Sequence, residues 1–199
     1  MFRLTKGKLI KMYFDAYYSD PHYFHNNIIK YCDRPFTDIQ HMNEQMIQNY
    51  NSVVRSTDIV LWLGDCFFTR NQESRKNIVQ RLNGRKVLLR GNHDDKASDL
   101  MFYDMGFCGI YRSDFFGEIG TYAVRYSHYP YFDPNEKDLR YSDRRPQREI
   151  GVTLVHGHTH EKNRITQDKQ IHVGVDAWNY TPAPYDDVLE LLKQIREEI

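Results

Sequence analysis

The chain lacks a net charge: 27 lysines and arginines balance 27 aspartates and glutamates over 199 residues. That argues against a protein held on nucleic acid by bulk charge, although a local basic groove stays open. Cysteine is scarce. Cys32, Cys66 and Cys108 are scattered, odd in number and without C-x-x-C spacing. A disulfide framework or a thiolate zinc site is not expected, and a reducing compartment fits best. Long hydrophobic runs are missing too; the longest, Ile59 to Leu63, is far below the ~20 residues that span a bilayer. The start, Met1-Phe2-Arg3-Leu4-Thr5-Lys6, has no uninterrupted apolar core of a signal peptide. These absences lead us to expect a soluble, cytoplasmic protein with no membrane partner, folded as one domain over residues 1–199.

Strand-like and helix-like segments alternate, without repeats. An aromatic-rich stretch, 10–18, runs into Ser19-Asp20-Pro21-His22. Thr37-Asp38 offers a cap for a helix carrying Met42, Met46, Tyr50 and Val53 at the 3.6 period. Asp58 to Leu63 reads as a buried strand, Ser74 to Leu82 as a helix stopped by Asn83-Gly84, and Lys86 to Arg90 as a second buried strand. A helical stretch over 95–105 closes at Gly106. From 107 to 127 the pattern is β, with turns at Gly117 and Gly120 and a strand from Thr121 to Tyr126. A polar loop over 130–149 precedes strands at Ile150 to Val155 and Gln170 to Val175. A charged helix starts at Tyr185. Helices separate the early strands while later strands follow directly, which predicts an α/β, four-layer α-β-β-α sandwich of two mixed sheets flanked by helices.

What the chain does have is histidine, nine in all, three of them in His156-Gly157-His158-Thr159-His160. The strand-like runs end in possible metal ligands: Asp20-Pro21-His22, Gly64-Asp65, Gly91-Asn92-His93-Asp94, Ser127-His128, and Gly157-His158-Thr159-His160. Sites in α/β sheets form at the carboxyl ends of strands, and the glycines before Asp65, Asn92 and His158 permit a sharp turn that aims the next side chain back. Singly, Asp20 and Asp65 suit turns or helix caps, Asn92 a left-handed turn, and His128 a packed imidazole. Together, the carboxylates of Asp20 and Asp65, the amide oxygen of Asn92 and the imidazoles of His22, His128, His158 and His160 form a mixed N/O set without thiolate. Manganese, iron, zinc, nickel or cobalt suits such a set better than calcium. Seven ligands exceed one tetrahedral ion and suffice for two divalent ions sharing a carboxylate.

D-x-H, G-D, G-N-H-D, an isolated S-H and G-H-x-H, in this order, resemble the motifs of the calcineurin-like metallophosphoesterase superfamily. They span residues 20–160. The segment Ser19 to Phe36 is also similar to a small bacterial and phage subgroup, departing from it where Tyr23-Phe24 separates His22 from His25. The resemblance implies one metal held by Asp20, His22, Asp65 and His160, and a second by Asp65, Asn92, His128 and His158, with manganese first among the candidate ions. It implies that His93 assists the leaving group, that Asp94 orients the His93 ring, and that a hydroxide activated by the metal pair hydrolyses a phosphate ester. A phosphodiester is placed slightly ahead of a monoester on a nucleotide or phosphoprotein, and the substrate can be a nucleotide or a nucleic-acid end. A non-catalytic scaffold of the same fold is the rival from another class.

His25, Asn27 and Arg34 are the candidates to meet substrate, and 130–149 is a candidate lid. Tyr23 and Tyr129, beside ligands, are candidate pocket walls. His156 shares a face with Val152 and Leu154 and is expected in the core, His172 is expected to pack, and His41 to be solvated.

Overall fold

The computed structural model describes residues 13–134 and 140–197. Two mixed five-stranded sheets and five α-helices form an α/β sandwich. The first sheet is built from β1 (Ala16–Tyr18), β2 (Ile59–Trp62), β3 (Arg85–Leu89), β4 (Phe107–Tyr111) and β10 (Ala183–Pro184), in the order β10-β1-β2-β3-β4. Strands β1 to β4 are parallel, and β10 joins the edge antiparallel to β1. The second sheet, ordered β5-β6-β7-β9-β8, contains β5 (Phe115–Ile119), β6 (Tyr122–Tyr126), β7 (Thr153–His156), β8 (Ile165–Thr166) and β9 (Gln170–His172). Its central strands β6, β7 and β9 are parallel.

Strands β1 and β2 are apolar because both faces are covered. On the first sheet, Tyr18, Val60, Trp62 and Leu88 meet helix residues Met42, Met46, Tyr50, Ile78, Val79 and Phe102. These come from α2 (Ile39–Val53), α3 (Gln72–Arg81) and α4 (Asp99–Met105), while α1 (Asn26–Tyr31) adds Ile28. The alternate positions Tyr17, Leu61, Leu63, Val87 and Leu89 face Val124, Tyr126, Val155 and Ile171 of the second sheet. Val188, Leu192 and Ile195 of α5 (Tyr185–Glu197) join this inter-sheet layer. Tyr185 accepts from the Gly120 amide and Arg196 donates to the Gly151 carbonyl, laying α5 across the end where β6 and β7 begin.

Local chemistry sets the helix ends. Asp38, extended, accepts the His41 amide at 2.8 Å to start α2, and Asn71 accepts the Ser74 amide to start α3. α3 therefore begins two residues before the expected Ser74. α4 stops at Gly106 as expected, with the glycine at φ +115°. Gly117 is not a turn; it pairs with Val124 inside β5, where a Cβ would lie 2.8 Å from the Tyr126 ring. Ile150 is exposed before β7 rather than within it. Part of the expected 10–18 strand, residues 10–12, lies outside the described residues, as do 135–139 of the 130–149 loop. Among the described residues, no helix is long and apolar enough to cross a membrane.

Candidate dimetal site

Ser19, just after β1, bridges in parallel to Gly174, just after β9, so the parallel strands of both sheets run the same way and deliver side chains to one edge of the sandwich. There the backbone is forced out of its ordinary range. Asp20, His22, Asp65, His158 and His160 all have φ between +50° and +71°. A non-glycine residue in the left-handed region costs roughly 1–2 kcal/mol, and such outliers persist where surrounding structure overdetermines them. Five of the seven expected ligands share this strain.

The glycines serve two purposes. Gly64 has φ +92°, a turn only glycine takes easily, as expected. Gly91 and Gly157 have no positive φ; they are needed for space. A Cβ on Gly91 would sit 2.3 Å from Asp65 Oδ1, and one on Gly157 would sit 2.0 Å from Ser19 Oγ and 2.3 Å from Asp20 Oδ2.

Two clusters result. Potential ligand atoms of Asp20, His22 and His160 lie within 4.8 Å of one another, as do those of Asp65, His128 and His158. Asp65 connects them: Oδ2 is 3.5 Å from His22 Nε2 and Oδ1 is 3.5 Å from His128 Nε2. His128 Nδ1 faces the Leu63 carbonyl at 2.7 Å, and its Nε2 is 3.2 Å from both Asn92 Oδ1 and His158 Nδ1. Asp20 Oδ2 accepts the His158 amide at 2.8 Å, while Asp20 Oδ1 and His22 Nε2 are buried without a hydrogen-bond partner. Buried polar atoms are ordinarily satisfied. An orphaned carboxylate oxygen and an orphaned imidazole nitrogen in one mixed N/O cluster fit divalent cations.

The electrostatics fit as well. Burial opposes charge on His128, but the Asp65 carboxylate prevails and its pKa rises to about 9. Burial likewise opposes charge on His160, yet its hydrogen bond to Asp176 lifts it to about 10. His158 falls to about 3 through burial and then the charge on His128, and burial holds His22 well below its ordinary value. Asp65 pays a burial penalty but is held well below the carboxylate range by His128, His22 and His93. Positive charge is thus favoured in both clusters, where a metal would replace protons.

The remaining expected residues divide. His93 stands at the mouth, its side chain 37% exposed and Nε2 3.8 Å from Asp65 Oδ2. It also groups with His22 and Asp65 at ligand spacing. Asp94 does not do what was expected of it. Its carboxylate accepts the amides of Asp65 and Gly91 through Oδ2 and of Cys66 through Oδ1, fastening the β2 and β3 loops together rather than orienting the His93 ring. Burial and the Asp65 charge raise its pKa to about 6.

His25 lies at the rim, Nδ1 3.3 Å from His22 Nδ1, and its ring stacks on Phe68 at 3.8 Å. Asn27 is exposed on α1. Arg34, expected to meet substrate, is buried beneath the ligands and holds Asp176 instead. Tyr23 is fully buried and no wall; exposed Phe68, whose ring is 5.1 Å from that of His93, takes that place. Tyr129 packs between His128 and His158. In the candidate lid, Tyr141 sets its edge on His158, and Arg144 binds Asp95 and the Tyr129 hydroxyl. His156 is fully buried between the Gly157 carbonyl and Thr166, on the face of β7 opposite Val155. His172 is fully buried too, and His41 is exposed. Asp176 and Phe68 were missed from sequence; Asp176 showed no motif, and Phe68 was one of eleven phenylalanines.

A family model described as calcineurin-like phosphoesterase matches residues 16–197. An uncharacterised protein of Methanocaldococcus jannaschii is 32% identical over 184 residues, covering 88% of this chain and 89% of its own. The gene 66 protein of Mycobacterium phage D29 is 30% identical, covering 90% and 96%, and that of Mycobacterium phage L5 is 29% identical, covering 90% and 94%. A solved protein of unknown function from Aquifex aeolicus shares the fold with a TM-score of 0.65 at 24% identity, over 88% of this chain and 97% of that one.

Proposed function

Because this chain belongs to the calcineurin-like phosphoesterase family, whose chemistry is metal-dependent hydrolysis of phosphate esters, we propose that it is a dimetal phosphodiesterase. The observation that carries the reading is Asp65, with one carboxylate oxygen turned to each histidine cluster. Asp20, His22, Asp65 and His160 would hold one ion, and Asp65, Asn92, His128 and His158 the other, with manganese ahead of iron, zinc, nickel or cobalt. Bound ions supply neutralisation of phosphoryl oxygens and a lowered pKa for attacking water.

The chain's own residues do the rest. His93, beside Asp65 and open to solvent, is placed to give a proton to the departing oxygen. A leaving group beside His93 lies against Phe68, which the stacked His25 ring holds in place, so an aromatic or nucleobase leaving group finds a wall there. Arg34 is bound to Asp176, so the second negative charge of a monoester would find no help from that guanidinium. A diester, with one charge fewer, suits the site better.

The test is turnover of bis-p-nitrophenyl phosphate against p-nitrophenyl phosphate by manganese-loaded protein. The diester should be the better substrate, and His93→Ala should lower its kcat by about 10²–10⁴ with metal content unchanged. A faster monoester would establish the monoesterase instead. Loss of metal in His93→Ala would make His93 a ligand, and an absence of turnover on either ester would favour a binding scaffold.

A further inference from the structure

Under one half of the site lies an ion pair reaching across 142 residues of sequence, Arg34 with Asp176, their side chains 0% and 1% exposed. A buried salt bridge is weak evidence for stability, since desolvation offsets most of the attraction. Its connections suggest a different role. Asp176 lies in a 3-10 turn at Val175–Ala177 and accepts Arg34 Nε through Oδ1 at 2.8 Å. Through Oδ2 it accepts a second guanidinium nitrogen at 2.8 Å and faces His160 Nδ1 at 2.8 Å. A carboxylate on Nδ1–H fixes the imidazole tautomer, orients the ring and leaves the lone pair on Nε2.

Arg34 also reaches the backbone that carries the other two residues of that cluster. It donates to the carbonyls of Asp20 and Pro21, both at 2.9 Å, and makes a long contact to Met42 Sδ. These carbonyls belong to the short stretch carrying Asp20 and His22, each held at positive φ. All five N–H groups of the guanidinium therefore have acceptors. The Asn92, His128 and His158 cluster is arranged otherwise: His128 is oriented by the backbone carbonyl of Leu63.

Resting on the dimetal reading above, we propose that Arg34 and Asp176 are positioning residues that preorganise one metal position, Asp20/His22/His160, and not the other. Neither residue is assigned to an ion; they set the affinity of one position through its ligands.

The experiment is calorimetric titration of metal-free protein with Mn²⁺, backed by the absorption spectrum of the Co²⁺ form. Wild type should bind two ions, and Asp65→Asn should lose both. Asp176→Asn should weaken one position about 10–100-fold and leave the other unchanged, with the Co²⁺ spectrum altered for one ion alone. Because Asp176→Asn leaves the Arg34 charge unpaired, the double variant R34Q/D176N, which removes both charges, is measured alongside for its fold. It should show the same selective loss. Equal weakening of both positions, or of neither, in the folded double variant would overturn the inference while leaving the dimetal reading intact. Failure of wild type to bind two ions would overturn both.

Discussion

Gly157→Ala adds one carbon at the turn that launches His158, and its cost follows from the distances. The new Cβ falls 2.0 Å from Ser19 Oγ, 2.8 Å from Ser19 Cβ and 2.3 Å from Asp20 Oδ2. Rotating Ser19 relieves the first clash and breaks its 2.9 Å bond to the Leu63 carbonyl, worth about 1 kcal/mol. Moving the Asp20 carboxylate breaks the 2.8 Å bond from the His158 amide, a bond to a charged group worth roughly 1.5–3 kcal/mol. The Ser19 Cβ contact can be eased only by backbone shift, which in a packed interior costs about 1–3 kcal/mol. The sum is roughly 3.5–7 kcal/mol, and the displaced group is an expected ligand. Gly109 in β4 is the control: a Cβ there meets Val87 at 3.5 Å, ordinary contact, and its φ is not positive. Gly109→Ala should be neutral or stabilise by up to about 1 kcal/mol. Urea denaturation of both variants, with bound manganese measured by elemental analysis, decides. A Gly157→Ala protein within ~1 kcal/mol of wild type and fully metal-loaded would refute the reasoning.

Three further outcomes are expected. Asp65→Asn should retain the fold and lose manganese, because one oxygen of the pair facing His22 and His128 becomes an NH₂ donor; full occupancy by elemental analysis would contradict the shared carboxylate. Burial lowers the folded-state pKa of His156 to about 4 and of His172 to about 3. Both depressed values mean that their contribution is complete above the unfolded value near 6.5 and is lost as pH falls from there toward 4 and 3, at about 1.4 kcal/mol per pH unit for each ring. Denaturation midpoints between pH 6.5 and 4.5, below the window in which His128 and His160 with their raised values titrate, should fall accordingly, and less steeply in His172→Leu; identical slopes would count against it. Phe68→Ala should raise KM for an aryl phosphodiester about tenfold, one lost stacking contact of about 1.4 kcal/mol, and leave that for a dialkyl phosphate unchanged. An equal effect on both esters would remove Phe68 from the substrate wall.

Sequence reveals what local chemistry dictates. β2, β3 and β7 were legible because each holds a short apolar run, Ile59–Trp62, Val87–Leu89 and Leu154–Val155, and α2 because Asp38 caps it and Met42, Met46 and Tyr50 follow one stripe. α1 was not, having six residues, one buried side chain and no side-chain cap. β8 and β10, two residues each, owe their existence to their neighbours. The candidate ligands stood out because few residue types bind metal and all of them closed apolar runs. The role expected of Asp94 came from the family resemblance, whereas the turn directs its carboxylate into three backbone amides. Asp176 could be found only through Arg34 and His160, and that pairing exists in space alone.

The candidate ligands divide between the sheets. Asp20, His22, Asp65 and Asn92 follow strands of the first, and His128, His158 and His160 follow strands of the second. Cations gripped from both sides would brace the seam, so binding there and folding of the whole molecule share one equilibrium. The apolar layer of Leu61, Val87, Val124 and Val155 sets the spacing of the same seam. A methyl group trimmed from that layer, touching no ligand, would be felt as a change in how tightly the protein holds its ions.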